Sequence, residues 1–212
     1  FRWDQRPLQI PKFIPADLHA EKTRLGNARQ DAARQLRELA NQVAKQIGEV
    51  EAALFEAQAM FLEDAVLVQK AEGAIDSSIN AEQAWHDACD YFASQLEAMP
   101  DETLRARGAD VRDVGRRVLE ILTGAQATLA LTKQSIILAR DLAPSQTAML
   151  DKSKVLAFCT AEGGPTSHTA ILAKALGIPA VVGLSDAVLD IPEETILLVD
   201  GNTGTLASNP TP

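Results

Sequence analysis

Residues 163–177, GGPTSHTAILAKALG, decide how this chain is read. A glycine pair, a proline and two hydroxyl residues lead into an apolar run that stops at Gly177 and Pro179, the pattern of a loop feeding a short capped helix with His168 in its first turn. The first turn of a helix carries N–H groups without intrahelical partners and the positive end of the peptide dipoles, so it can hold an anion such as a phosphoryl group. The same field disfavours imidazolium, which leaves one nitrogen of His168 able to act as a nucleophile near neutral pH. Gly163 and Gly164 let backbone approach a ligand closely. Two readings stand side by side at this point: a histidine that accepts and passes on a phosphoryl group, and an ordinary helix-start residue behind a Thr-Ser cap, its glycines present for steric reasons.

Short apolar runs of strand length surround this stretch. Residues 135–139 (SIILA) and 155–158 (VLAF) precede it, 180–182 and 195–199 (TILLV) follow, and the Gly and Asn punctuation from Asp200 announces a tight turn before a last strand at 205–207. This half reads as a compact α/β domain. Between the SIILA strand and the next lies DLAPSQTAML, residues 141–150, where the hydroxyls of Ser145 and Thr147 either orient an imidazole or bond a phosphoryl oxygen, or else cap a short helix after Pro144.

The upstream half has a helical texture. From Asp17, apolar residues at Leu18, Leu25, Ala28, Ala32, Leu36, Leu39, Val43 and Ile47 share one face. A second helix is expected over about 50–71 through Ala53, Leu54, Ala57, Phe61 and Val66, with a break around Gly73 to Ser78. A third, 80–99, stacks Ala81, Trp85, Ala88, Phe92 and Leu96; Pro100 ends it, and Asp101 caps a fourth whose inner positions are Leu104, Gly108, Val111, Gly115, Val118 and Leu122, closed by Gly124. Four amphipathic helices with short connections predict an antiparallel bundle. Ahead of them, prolines 7, 11 and 15 frame Leu8 and Ile10, which reads as a short edge strand or extended arm.

Composition narrows the function. The 212 residues carry a formal charge of −9, which argues against nucleic acid as a main partner, and no apolar run approaches the ~18 residues of a membrane span. No signal peptide is visible at the N-terminus, so a cytoplasmic location is expected. Cys89 and Cys159 match no metal spacing and read as buried thiols. His19 and His86 fall on helices without a ligand partner; GGPTSH is not a G-x-S-x-G elbow, and no lysine completes a Walker A loop. The carboxylate pairs Glu193–Glu194 and Glu63–Asp64 read as solvated surface.

GGPTSHTAILAKALGIPAVVG resembles the phosphohistidine signature of the phosphoenolpyruvate-utilising enzymes, and DLAPSQTAML, ADVRDVGRRVLEIL and the AMFLED segment are similar to the N-terminal half of Enzyme I of the bacterial phosphotransferase system. The signature is shared with pyruvate phosphate dikinase and phosphoenolpyruvate synthase; the four-helix segment narrows the resemblance to the Enzyme I group, and the long bundle disfavours a swivelling domain of a dikinase. The resemblance implies an α/β phosphohistidine swivelling domain, residues 1–15 and 125–212, with an inserted all-α four-helix bundle, residues 16–124, that docks the phosphocarrier HPr. It implies His168 as the phosphorylated residue, Thr147 as the hydroxyl that bonds its imidazole, and Gly163, Gly164, Thr166 and Ser167 as the phosphoryl-binding loop. Carrier docking would fall on Gln58, Met60, Phe61 and Ala65.

In that family the phosphoenolpyruvate and Mg²⁺ sites belong to a separate C-terminal barrel, so no cofactor or metal is expected in this chain, and no membrane partner. The sequence departs from the family pattern in lacking an S-P-G-I-A-x-G opening, and in holding Gln58 where a histidine is usual and Ala65 and Val66 where an acidic pair is usual. An acidic surface facing a basic carrier gives steering, so this change points to an altered partner. Two parents are therefore left open: sugar-transport Enzyme I, the commoner architecture, and the Enzyme I-like domain of the multidomain phosphotransferase subunit of dihydroxyacetone kinase. A reading from another class, a non-catalytic helical interaction module, also stands.

Overall fold

The structure, a computed structural model, describes residues 1–3, 8–46, 48–125, 131–142, 151, 153–164 and 167–210. The chain forms two compact units: Phe1–Arg6 with Thr128–Pro212, and Pro7–Ala127. The second is inserted between the first and second strands of the other.

The inserted unit holds five helices among its described residues, α1 (Leu18–Gln46), α2 (Glu49–Phe61), α3 (Ala65–Asp76), α4 (Ala81–Glu97) and α5 (Glu102–Thr123). The stripe expected on α1 is the one buried: Leu25, Ala28, Ala32, Leu36, Leu39 and Val43. The single second helix expected over 50–71 is two helices. Asp64 leaves helical geometry at ψ 122°, and its carboxylate accepts from the N–H groups of Val66 and Leu67, which starts α3 afresh. The carbonyl of Leu62, at the end of α2, accepts two bonds from the Arg29 guanidinium at 2.9 and 2.7 Å. Within α2 the buried face is Ala52, Phe55, Gln58 and Ala59, in place of the expected Ala53, Leu54, Ala57 and Phe61.

α4 and α5 approach closely because glycines face the contact. The indole N–H of Trp85, fully buried, donates to the carbonyl of Gly115 at 3.1 Å, and a Cβ on Gly115 would come within 2.9 Å of the Cys89 sulfur. Burial pushes the Cys89 thiol pKa up.

The segment from Leu8 to Pro15 belongs with the helices, which corrects its expected place in the α/β domain, and Leu8 and Ile10 lie in no strand. Prolines rob this stretch of ladder donors. Two of its backbone groups are satisfied instead by Asn80, which is buried and donates to the carbonyl of Pro11 while accepting from the N–H of Phe13. A buried carboxylate pair supports Asn80: Glu82 accepts from its amide and from Arg24, and Glu21 accepts from Arg24 and from the N–H of Ala81.

The other unit is a four-stranded parallel sheet in the order β1 (Arg2–Trp3), β2 (Ser135–Ala139), β3 (Val155–Thr160), β4 (Ala180–Val181). β3 and β4 are linked through a helix, α6 (His168–Leu176); a 3₁₀ turn at Asp186–Asp190 and an antiparallel hairpin, β5 (Leu197–Asp200) and β6 (Thr205–Ser208), follow. Alternation along β2 sends Ile137 and Ala139 to one face with Ala173 and Ile178 of the α6 region, and Ile136 and Leu138 to the other with Val188, Leu197 and Leu206. Pairing of Ser135 with Val155 and of Ile136 with Ala157 leaves Leu156 as the extra residue of a bulge, and it is exposed. Among the described residues no helix is long and apolar enough to cross a membrane.

Candidate functional site

The chemistry-bearing loop leaves the carboxyl end of β3, the edge where parallel sheets place their ligand crevices. The ladder between β2 and β3 runs on past the strands, since Ala161 N–H donates to Ala139 O at 2.9 Å and Glu162 N–H to Arg140 O at 2.8 Å. The carbonyl of Glu162 then accepts the Thr160 hydroxyl at 2.7 Å and the Gly183 N–H at 3.3 Å. The chain turns at Gly163, whose φ of +95° only glycine adopts without strain. A Cβ there would also meet the Ser167 hydroxyl at 3.3 Å, and one on Gly183 would meet the Gly163 carbonyl at 3.2 Å. The loop backbone is thus tightly held from behind.

Ser167 is the N-cap of α6: its backbone is extended, and its hydroxyl accepts from the N–H of Ala170 at 3.3 Å. His168 is the first residue of the helix, the place its sequence position predicts. Its side chain, with Pro165 and Thr166, lies outside what the structure describes, as do Ser145 and Thr147. The far end of α6 closes at Gly177 in left-handed geometry, with Ile178 N–H returning to Ala173 O.

Two supporting residues escape a reading of the sequence. Thr169 is buried and its hydroxyl donates to the carbonyl of Leu142 at 2.9 Å, tying the first turn of α6 to the chain leaving β2. Nothing in the sequence separates it from an ordinary helix-start threonine. Arg140 donates to Asp186 at 2.6 Å and reaches Glu162 at 3.4 Å; those two carboxylates, Asp186 first, raise its guanidinium pKa. Its signal was only a charged residue directly after a strand.

Of the expected docking residues, Met60 is 68% exposed, Ala65 is exposed and Phe61 is half-buried. Gln58 is corrected: it is 3% exposed, on the buried face of α2, and neither its Oε1 nor its Nε2 has a partner among the described residues. Among the described residues no group of three or more His, Cys, Asp or Glu side chains is arranged to hold a metal.

Comparison with protein families matches residues 3–107 to the PEP-utilising enzyme N-terminal family and residues 131–204 to the PEP-utilising enzyme mobile domain. A phosphoenolpyruvate-protein phosphotransferase of Geobacillus stearothermophilus is 36% identical over all of this chain, and a multiphosphoryl transfer protein of Xanthomonas campestris pv. campestris is 42% identical over 83% of it. The chain spans 37% and 22% of the length of these two relatives. An NMR solution structure of Enzyme I aligns with a TM-score of 0.77 at 32% identity, covering 100% of this chain and 87% of that one; an N-terminal domain of Enzyme 1 – Nitrogen aligns at 0.70 and 29%, covering 99% and 88%. The chain therefore belongs to the phosphoenolpyruvate-utilising enzyme family, with the N-terminal domain of Enzyme I as its structural counterpart.

Proposed function

We propose that this chain is the phosphohistidine half of a phosphotransferase, which takes a phosphoryl group on His168 and exchanges it with an HPr-type carrier. The observation that carries this reading is the placement of His168 as the first residue of a Ser-capped helix, directly behind a glycine turn at the carboxyl edge of a parallel sheet. The reaction is an in-line displacement: a lone pair of the neutral His168 ring attacks phosphorus, the new N–P bond forms as the carrier's N–P bond breaks, and the leaving imidazole keeps that electron pair. Helix-start amides offset the charge on the phosphoryl oxygens. Gly163, Gly164, Thr166 and Ser167 form the loop around the group, and Thr147 orients the imidazole.

The carrier docks on the helical unit, with exposed Met60 and Val66 and half-buried Phe61 as its apolar centre. Phosphoenolpyruvate and Mg²⁺ belong to a barrel domain outside this sequence, and the protein works in the cytoplasm. A second parent, the Enzyme I-like domain of the fused, multidomain phosphotransferase subunit of dihydroxyacetone kinase, is supported by the 42% identity to multiphosphoryl transfer proteins of Xanthomonas campestris pv. campestris and Rhodobacter capsulatus.

Intact-protein mass after incubation with phosphorylated HPr, quenched in alkali, tests the reading. One phosphoryl group is expected on the wild-type chain and none on His168→Ala. Labelling only from an HPr-like domain of the dihydroxyacetone system would assign the fused parent. Absence of label from both carriers, or label persisting on His168→Ala, would overturn the relay and leave the helical interaction module.

A further inference from the structure

Three charged side chains meet beside the glycine turn. Arg140 follows β2, Glu162 follows β3 immediately before Gly163, and Asp186 opens the 3₁₀ turn after β4. The Arg140 guanidinium bridges the two carboxylates, at 2.6 Å to Asp186 and 3.4 Å to Glu162, and the backbones of Arg140 and Glu162 are already bonded at 2.8 Å. The side chains are 56%, 60% and 65% exposed for Arg140, Glu162 and Asp186, so stability gives little reason for the cluster. Its location gives a better one. A phosphoryl group carries close to two negative charges, and without Arg140 it would have to arrive next to two uncompensated carboxylates.

On the reading of His168 as phosphoryl acceptor, we propose that Arg140 is a positioning residue for the transfer: bridging Glu162 and Asp186, it offsets one of their two charges beside the glycine turn and holds the residue that leads into Gly163 and Gly164. The carboxylates fix the guanidinium, and the guanidinium in turn makes the sheet edge permissive for an anion. One cation against two anions leaves a residual negative charge, which favours onward transfer over retention of the group.

The test follows the rate of His168 labelling by phosphorylated HPr in the whole chain at low salt, together with the melting temperature. Arg140→Gln is expected to label about fivefold more slowly, the size of effect a single partly screened charge near a reacting anion produces. Arg140→Lys keeps most of the rate. The decisive variant is Arg140→Gln combined with Glu162→Gln and Asp186→Asn, which removes the carboxylates that Arg140 compensates and should return the rate to within about twofold of wild type, an outcome that loss of a structural clamp would not give. Melting temperatures should stay together across the set. A wild-type rate in Arg140→Gln, or a triple variant as slow as the single one, would overturn the role of Arg140 with His168 chemistry intact. An unlabelled wild-type chain would instead sink the relay itself, and the Arg140 role with it.

Discussion

Gln58 is the residue at which sequence and structure part most clearly. The family resemblance makes it a surface position; in the structure it is 3% exposed, and both ends of its amide lack a partner among the described residues. An amide buried without a partner costs roughly 1–3 kcal/mol, because the water it gave up is not replaced. Gln58→Met keeps the volume and removes the orphaned groups. The variant should be about 1–2 kcal/mol more stable in urea unfolding, with an unchanged m-value. A neutral or destabilising result would mean that the amide is satisfied after all, for example by a buried water. His168 is the opposite case: cap, glycine turn and helix stop are all local features, so its place was legible without the fold.

Elements were legible wherever one face of a helix or strand decides burial. The α1 stripe and the β2 alternation follow from period alone. The division of α2 from α3 was missed because the apolar residues run through it, although Asp64 ahead of an apolar run is an N-cap signal, and the Arg29 bonds that cap α2 are long-range contacts no window of sequence contains. The hairpin was foreseen, but β1 was not, since Arg2–Trp3 is no apolar run, whereas the equally short β4 lies in the apolar residues 180–182. In α5 the glycines were placed on the inner face, and the structure supplies the reason: Gly115 sits against Cys89 and accepts from Trp85. Gly115→Ala gains helix propensity of about 1 kcal/mol but forces a methyl into the buried sulfur and Cβ of Cys89, a clash worth about 1–3 kcal/mol. The balance should be a net loss of roughly 1 kcal/mol, seen as a lower urea midpoint. A gain in stability would show that α4 and α5 separate without cost, against their close packing at Gly115 and Cys89.

At the scale of the molecule, charge is distributed unevenly between the two units. Residues 7–127 hold thirteen Lys and Arg against twenty Asp and Glu, whereas the rest of the chain holds seven against nine, so most of the −9 resides on the helical unit proposed to dock the carrier. The expected acidic pair at Ala65 and Val66 is missing, and Val66 is 61% exposed, so the centre of the surface is apolar while the field around it stays negative. Apolar contact and long-range field act on different rates: the first sets how slowly a complex dissociates, the second how fast a basic partner arrives. Association with a basic HPr-type carrier should then slow about tenfold between 0.05 and 0.5 M salt, with a dissociation rate changed by less than about twofold. Stopped-flow mixing of the whole chain with labelled carrier measures both. A salt-independent association rate would mean that the helical unit's charge does not steer the carrier, and a dissociation rate that rises with salt would place ion pairs, in place of Met60 and Val66, at the centre of the contact.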